Sequence, residues 1–165
     1  GKRNHDEIRL WADYVSLDKS EYIYDDAGQT GGLDEDAHFI IMGDMNADPV
    51  DGDSTAMAID QLLLNPAINA SITPVSQGAV EAAVNQGRAN DTQKNASDFD
   101  TADFADGAPG NIRVDYVLPS IRLTYFFQLN LLPFLYPSSL DYIYNPTTIL
   151  LLYIIIIKIR RRKRI

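Results

Sequence analysis

Four consecutive apolar residues, Phe39-Ile40-Ile41-Met42, stop at Gly43 and hand the chain directly to Asp44-Met45-Asn46. A run this short and closed by glycine reads as a strand covered on both faces, because a half-exposed strand would alternate apolar with polar residues. A covered strand needs a neighbour on each edge and something packed above and below it, so it commits the chain to a layered α/β or all-β arrangement. Its end delivers a carboxylate and an amide into a loop.

The second strand signal is Ile112-Arg113-Val114-Asp115-Tyr116-Val117-Leu118. It alternates, with Ile112, Val114, Tyr116 and Leu118 on one face, and Pro119 stops it. Helical periodicity appears elsewhere. Asn4 followed by Glu7 resembles a capping box, and Ile8, Trp11, Ala12 and Val15 then share one face, which predicts a helix over 5–15. A second helix is expected over 54–64, before Asn65-Pro66, and a short third over 79–84. Residues 18–36 read as an Asp- and Gly-rich loop around a short extended Tyr22-Ile23-Tyr24 piece, and 85–111 as a polar connection. There is no internal repeat. Asn90 and Asn95 head possible glycosylation tripeptides, a pattern too common by chance to carry weight.

The chain has 165 residues, 45% of them apolar, which suits one domain or part of one rather than two. Without cysteine there is no disulfide framework, thiolate metal site or cysteine nucleophile. The first residues, Gly1 to Glu7, include no initiator Met and no apolar leader, so the chain is expected to begin within a longer protein. Charge is divided unevenly. Residues 1–120 carry 7 Lys and Arg against 22 Asp and Glu, whereas 121–165 carry 7 against 1. An acidic body repels polyanions, so a phosphate-bearing substrate would need a cation to bring it in.

Gly43-Asp44-Met45-Asn46, continued by Ala47-Asp48-Pro49, resembles the Gly-Asp-aromatic/Met-Asn signature of the endonuclease/exonuclease/phosphatase superfamily. Arg113-Val114-Asp115-Tyr116-Val117-Leu118-Pro119-Ser120 resembles the later Arg-hydrophobic-Asp-Tyr strand of the same superfamily. Taken alone, the first is equally an ordinary turn in which Asp and Asn cap their own backbone. The alternative for Asp115 is a strand carboxylate on the solvent face that could pair with Arg113. The two motifs together, about 70 residues apart, are far more specific.

The resemblance implies a DNase I-like four-layer α/β sandwich, here partial and incomplete at both ends, with strands 39–42 and 112–118 adjacent in one sheet. It implies a metal-dependent phosphoester hydrolase acting on nucleic acid or a small phosphoester. In this pattern Asp44 binds Mg2+ or Mn2+ and positions the attacking water, and Asn46 binds the phosphoryl group without adding negative charge. Asp115 orients and charge-stabilises a catalytic His. His5, near a helix start, is expected to be a solvated or capping residue rather than a ligand, and His38 matches no catalytic position and is expected to be structural. The family's metal-binding Glu, its first catalytic His and its closing Ser-Asp-His have no counterpart here, so the chain by itself is expected to be inactive or nearly so.

Residues 1–120 are thus expected to form a partial hydrolase domain, and 121–165 an apolar then basic tail. Nine apolar residues at 149–157 precede Lys158-Ile159-Arg160-Arg161-Arg162-Lys163-Arg164. They are too few for a membrane-spanning helix of about 20 residues, so membrane contact through 140–164 would have to include Asp141, Asn145 and Pro146. The tail is expected to stay out of the core, poorly ordered or as a separate helix near 148–158. Two other readings stay open: a membrane-anchored interaction protein with a non-catalytic domain, and a truncated product whose tail is a non-native translation of AT-rich DNA. No protein partner is implied.

Overall fold

A computed structural model describes residues 1–55 and 57–123 and the backbone of Leu152–Lys158. The architecture is α/β. Helix α1 (Lys2–Tyr14) precedes a long loop and strand β1 (His38–Asp44). Helices α2 (Asp60–Leu63) and α3 (Gln77–Gln86) follow, then short strands β2 (Ala102–Asp103) and β3 (Asn111–Ile112) and strands β4 (Asp115–Pro119) and β5 (Leu152–Lys158). One sheet has the order β4-β1-β5, antiparallel on the β4 side and parallel on the β5 side. A second pairs β2 with β3.

β1 lies central because it is the most apolar segment between 1 and 120, and a central strand exchanges hydrogen bonds on both edges. Phe39 and Ile41 are buried, and opposite Ile41 lies Leu118 of β4. Helix α1 lays Ile8 and Ala12 into the same core, and Ile59 and Leu62 from the α2 region close it, with Met45 and Tyr116 at the strand ends. Ile8, Ile41, Met45 and Leu62 are fully enclosed. The core therefore lies on one face of β1 and β4 and is roofed by α1 and α2. Asp44 and Asp115 stand on the opposite face, in register with Met42 and Val117.

Several elements differ from their sequence expectations for identifiable reasons. The first helix begins at Lys2 with no side-chain cap at its start, because Asn4 is drawn elsewhere. Its Nδ2 donates to the carbonyls of Met45 at 3.1 Å and Asn46 at 3.2 Å, and Glu7 pairs with Arg3 instead. The helix expected over 54–64 is reduced to Asp60–Leu63, since Met57 takes a φ of 62°, which no right-handed helix admits. The third helix runs longer than 79–84, from an N-cap at Ser76, whose Oγ accepts from Ala79 N, to Gly87 at φ 58°. The extended piece at Tyr22–Tyr24 survives only as one bridge between Tyr24 and Thr30.

The strand expected over 112–118 is broken. Ile112 belongs to β3, and Arg113 and Val114 lie in neither strand before β4 resumes at Asp115. The tail also departs from expectation. Leu123 is buried, Ile121 N donates to Ala67 O, and Arg122 pairs with Asp36 at 3.0 Å, so packing does not stop at Ser120. Leu152–Lys158, expected to be disordered or helical, forms a strand on the free edge of β1. The physical reason is its Tyr and Ile content, since β-branched and aromatic residues fit a pleated surface better than a helix. The remaining residues of 140–164 lie outside the described residues. No helix among the described residues is long and apolar enough to cross a membrane.

Candidate active site

The ladder between β1 and β4 ends on a pair of carboxylates, with Asp44 directly across from Asp115. Two hydrogen bonds define the kind of pair. Met45 N donates to Val114 O at 2.7 Å, and Asp115 N points away from β1 to Thr101 Oγ1 at 2.9 Å. Asp44 and Asp115 are therefore a non-hydrogen-bonded pair, the type with Cα atoms only about 4.5 Å apart and side chains leaning together. Like charges so placed repel unless a cation lies between or beside them. Two of the three residues singled out from sequence thus meet at one sheet end.

The third is Asn46, one turn beyond. Asp44 Oδ1 accepts from Asn46 N at 2.8 Å, closing a small loop immediately after the strand. Gly43 at φ 141° and Asn46 at φ 46° make the bend, and these are the two residue types that tolerate positive φ. The tetrapeptide is thus a turn in its local structure, with the Asp44 carboxylate accepting from the backbone amide of Asn46. Asn4 donates from α1 to the successive carbonyls of Met45 and Asn46, pinning the loop to the helix.

Sequence reasoning quoted Asp48 only as part of the motif, yet this side chain organises the neighbourhood. It is 5% exposed. Oδ1 accepts from Val50 N and Asp51 N, both at 2.7 Å, while Oδ2 reaches across to Arg113 N at 2.9 Å. Tyr116 OH sits 2.8 Å from Ala47 O and 3.2 Å from Arg113 O, tying the same two segments together, and burial lifts this phenol above its ordinary pKa. The alternative reading, in which Asp115 pairs with Arg113, finds no such ion pair among the described residues. Arg113 is buried, its guanidinium 4.3 Å from the Tyr116 ring centroid and 3.3 Å from Thr73 Oγ1.

Beside this clasp lies Asp100, whose carboxyl is raised to about 7 by burial and then by the carboxylates of Asp48, Asp51 and Asp98. Its Oδ2 is buried without a hydrogen-bond donor. A proton is held there at pH values where an ordinary carboxyl has lost it.

His5 is half-buried, with Nδ1 3.5 Å from Asp6 Oδ1 and its carbonyl accepting from Gln61, a helix-surface role. His38 opens β1, at the end of the strand opposite Asp44. Neither imidazole belongs to the carboxylate pair. Among the described residues, no three His, Cys, Asp or Glu side chains converge as a ready-made metal centre. What the strand ends offer is two carboxylates and a neutral amide. Oxygen donors of that kind suit a hard ion such as Mg2+, which binds through one or two carboxylates and retains several waters.

Comparison with known proteins agrees with this reading of the motifs. The model of the Endonuclease/Exonuclease/phosphatase family matches residues 7–144, a span that contains both strand ends and runs past Ser120. No curated protein and no solved structure gives a significant match to the chain.

Proposed function

The chain belongs to the endonuclease/exonuclease/phosphatase family, whose members hydrolyse phosphoester bonds, generally with a divalent metal, and on that premise we propose that the Asp44–Asp115 strand ends are its catalytic centre. The observation that carries the proposal is the pairing itself. Two carboxylates from segments about 70 residues apart are set opposite each other by the register of a buried sheet, with Asn46 in the adjoining turn.

Each side chain has a role its chemistry allows. Asp44 would hold the metal, and its carboxylate orients the attacking water and accepts its proton as the oxygen approaches phosphorus. Asn46 donates from its side-chain amide to a non-bridging phosphoryl oxygen, stabilising charge that grows in the transition state without repelling the anionic substrate. Asp115 supports an imidazole, which no residue after His38 supplies in this sequence. Mg2+ or Mn2+, bound at Asp44, supplies Lewis acidity and offsets the negative charge of the phosphate and of the acidic body. With Asp115 lacking such a partner, the 165 residues alone turn over slowly. The sheet β4-β1-β5 and its helices are read as part of one half of a four-layer α/β sandwich.

The substrate is a phosphoester, either in nucleic acid or in a small molecule. Residues 1–120, with their excess of acid, provide no basic groove of the kind that tracks a duplex. Assaying the complete gene product on DNA, RNA and small phosphomonoesters and phosphodiesters tests the proposal. Magnesium- or manganese-dependent release of product, abolished by Asp44→Ala, is the expected result. Full activity in Asp44→Ala and Asp115→Ala would overturn it.

A further inference from the structure

Three consecutive backbone amides, those of Arg113, Val114 and Asp115, lie where the strand expected from sequence is broken. All three are satisfied by side chains. Asp48 Oδ2 accepts from Arg113 N, and the single hydroxyl oxygen of Thr101 accepts from both Val114 N and Asp115 N, each at 2.9 Å. Thr101 is itself fixed by its own amide, which donates to Ile112 O at 3.2 Å. Adjacent N–H groups that converge on one point form a concavity which binds an oxygen, and here a protein hydroxyl fills it.

The hydroxyl sits one hydrogen bond from the backbone of the catalytic pair. Asp115 N, the amide bonded to Thr101, belongs to the residue whose carboxylate faces Asp44. A ladder hydrogen bond cannot hold that amide, because it points away from β1. The end of β4 is therefore held against β1 on one side by Val114 O and Met45 N, and on the other by Thr101. Without the second contact, the first residue of β4 would be free to rotate about the break at 113–114, and the Asp115 carboxylate would swing with it.

We propose that Thr101 is a positioning residue for Asp115, its Oγ1 clamping the Val114 and Asp115 amides so that the Asp115 carboxylate stays opposite Asp44. The proposal rests on the hydrolase reading for its catalytic consequence and on geometry alone for the clamp. Only an oxygen acceptor serves. Serine preserves it, and valine, of the same shape, removes it and leaves two amides without a partner. Thr101 is exposed, so the change opens no cavity in the core.

The test uses the complete gene product as parent, with its Thr101→Val and Thr101→Ser variants, and reads residue-resolved amide hydrogen exchange and steady-state kinetics. In Thr101→Val, exchange at Val114 and Asp115 is expected to accelerate roughly tenfold or more, the effect of losing one modest hydrogen bond, while Ile41 and Leu118 keep their rates. Thr101→Ser restores both. On a phosphodiester the valine variant is expected to lose kcat by about 10- to 100-fold at unchanged KM, with little further loss when added to Asp115→Asn. Unchanged exchange at Val114 and Asp115 overturns the clamp whatever the activity, and so does acceleration spread evenly over β1 and β4. A localised exchange effect in a complete gene product that hydrolyses no phosphoester supports the clamp and overturns the hydrolase reading, so the two failures are told apart.

Discussion

Asp44 and Asp100 are carboxylates under opposite demands, and each has a measurable consequence. Asp44 stands at a strand end facing a second carboxylate, where the proposed function places a cation and a phosphate. Replacing it with Asn keeps the turn, because the amide oxygen can still accept from Asn46 N, but removes the charge and the proton acceptor. Asp44→Asn is expected to lower kcat by at least about 10²-fold with an unchanged melting temperature, checked by steady-state kinetics and calorimetry. Asp100 is buried among Asp48, Asp51 and Asp98, and its folded-state pKa of about 7 lies above the ordinary 3.8. The folded chain therefore binds more protons than the unfolded one between those values. Stability from this group is present below the lower value and is lost as pH rises through the window, levelling off above about 7. Because the carboxyl is partly open to solvent, the loss is about 1 kcal/mol rather than the full shift. Urea denaturation near pH 5 and near pH 8 should show Asp100→Asn relatively more stable than the parent at the higher pH, and an identical pH dependence of the two chains would contradict this assignment.

At the scale of elements, the join between the 44–51 loop and the start of β4 depends on Asp48, which accepts from Val50, Asp51 and Arg113 at once. Asp48→Ala strands three amides and is expected to cost about 3 kcal/mol, with Asp48→Asn costing less, as read from denaturant midpoints. The core beneath is ordinary by comparison. Leu62→Ala, in the middle of α2, is expected to cost about 2–5 kcal/mol by opening a cavity under β1. These elements were unequally legible in the sequence. β1 could be read because four apolar residues before a glycine leave few alternatives, and the face of 112–118 because burial at Ile112, Val114, Tyr116 and Leu118 follows the alternation. The break at 113–114 was not legible, since it depends on oxygens from Asp48 and Thr101, far away in sequence. Asn4 misled for a related reason. Its spacing from Glu7 suits a cap, but its tertiary partners are the carbonyls of Met45 and Asn46. The site pair Asp44 and Asp115 was available only through two motifs read together, because neither carboxylate differs locally from a turn or a solvent-face residue.

For the molecule as a whole, charge and sheet edges set the constraints. An acidic body joined to a basic end draws no polyanion non-specifically to residues 1–120, so the proposed catalysis there would depend on a bound cation. β1 is central because β4 takes one edge and Leu152–Lys158 the other. Deleting 150–165 would leave the second edge of β1 unpaired, and unpaired edges recruit further chains. The shortened chain is expected to self-associate in sedimentation experiments, and a shortened chain that stays monomeric with unaltered stability would show that this edge pairing contributes nothing. The central claim is that the ends of β1 and β4 form a divalent-cation site for phosphoester chemistry. Titrating the chain with Mn2+ and following backbone amide resonances tests it most directly, because paramagnetic broadening reports distance to the ion without requiring turnover. The account predicts broadening that begins at Gly43, Asp44, Asn46, Asp115 and Tyr116 and is competed by Mg2+. Broadening centred on Asp98 and Asp100 instead, or none at the strand ends at saturating Mn2+, would contradict it.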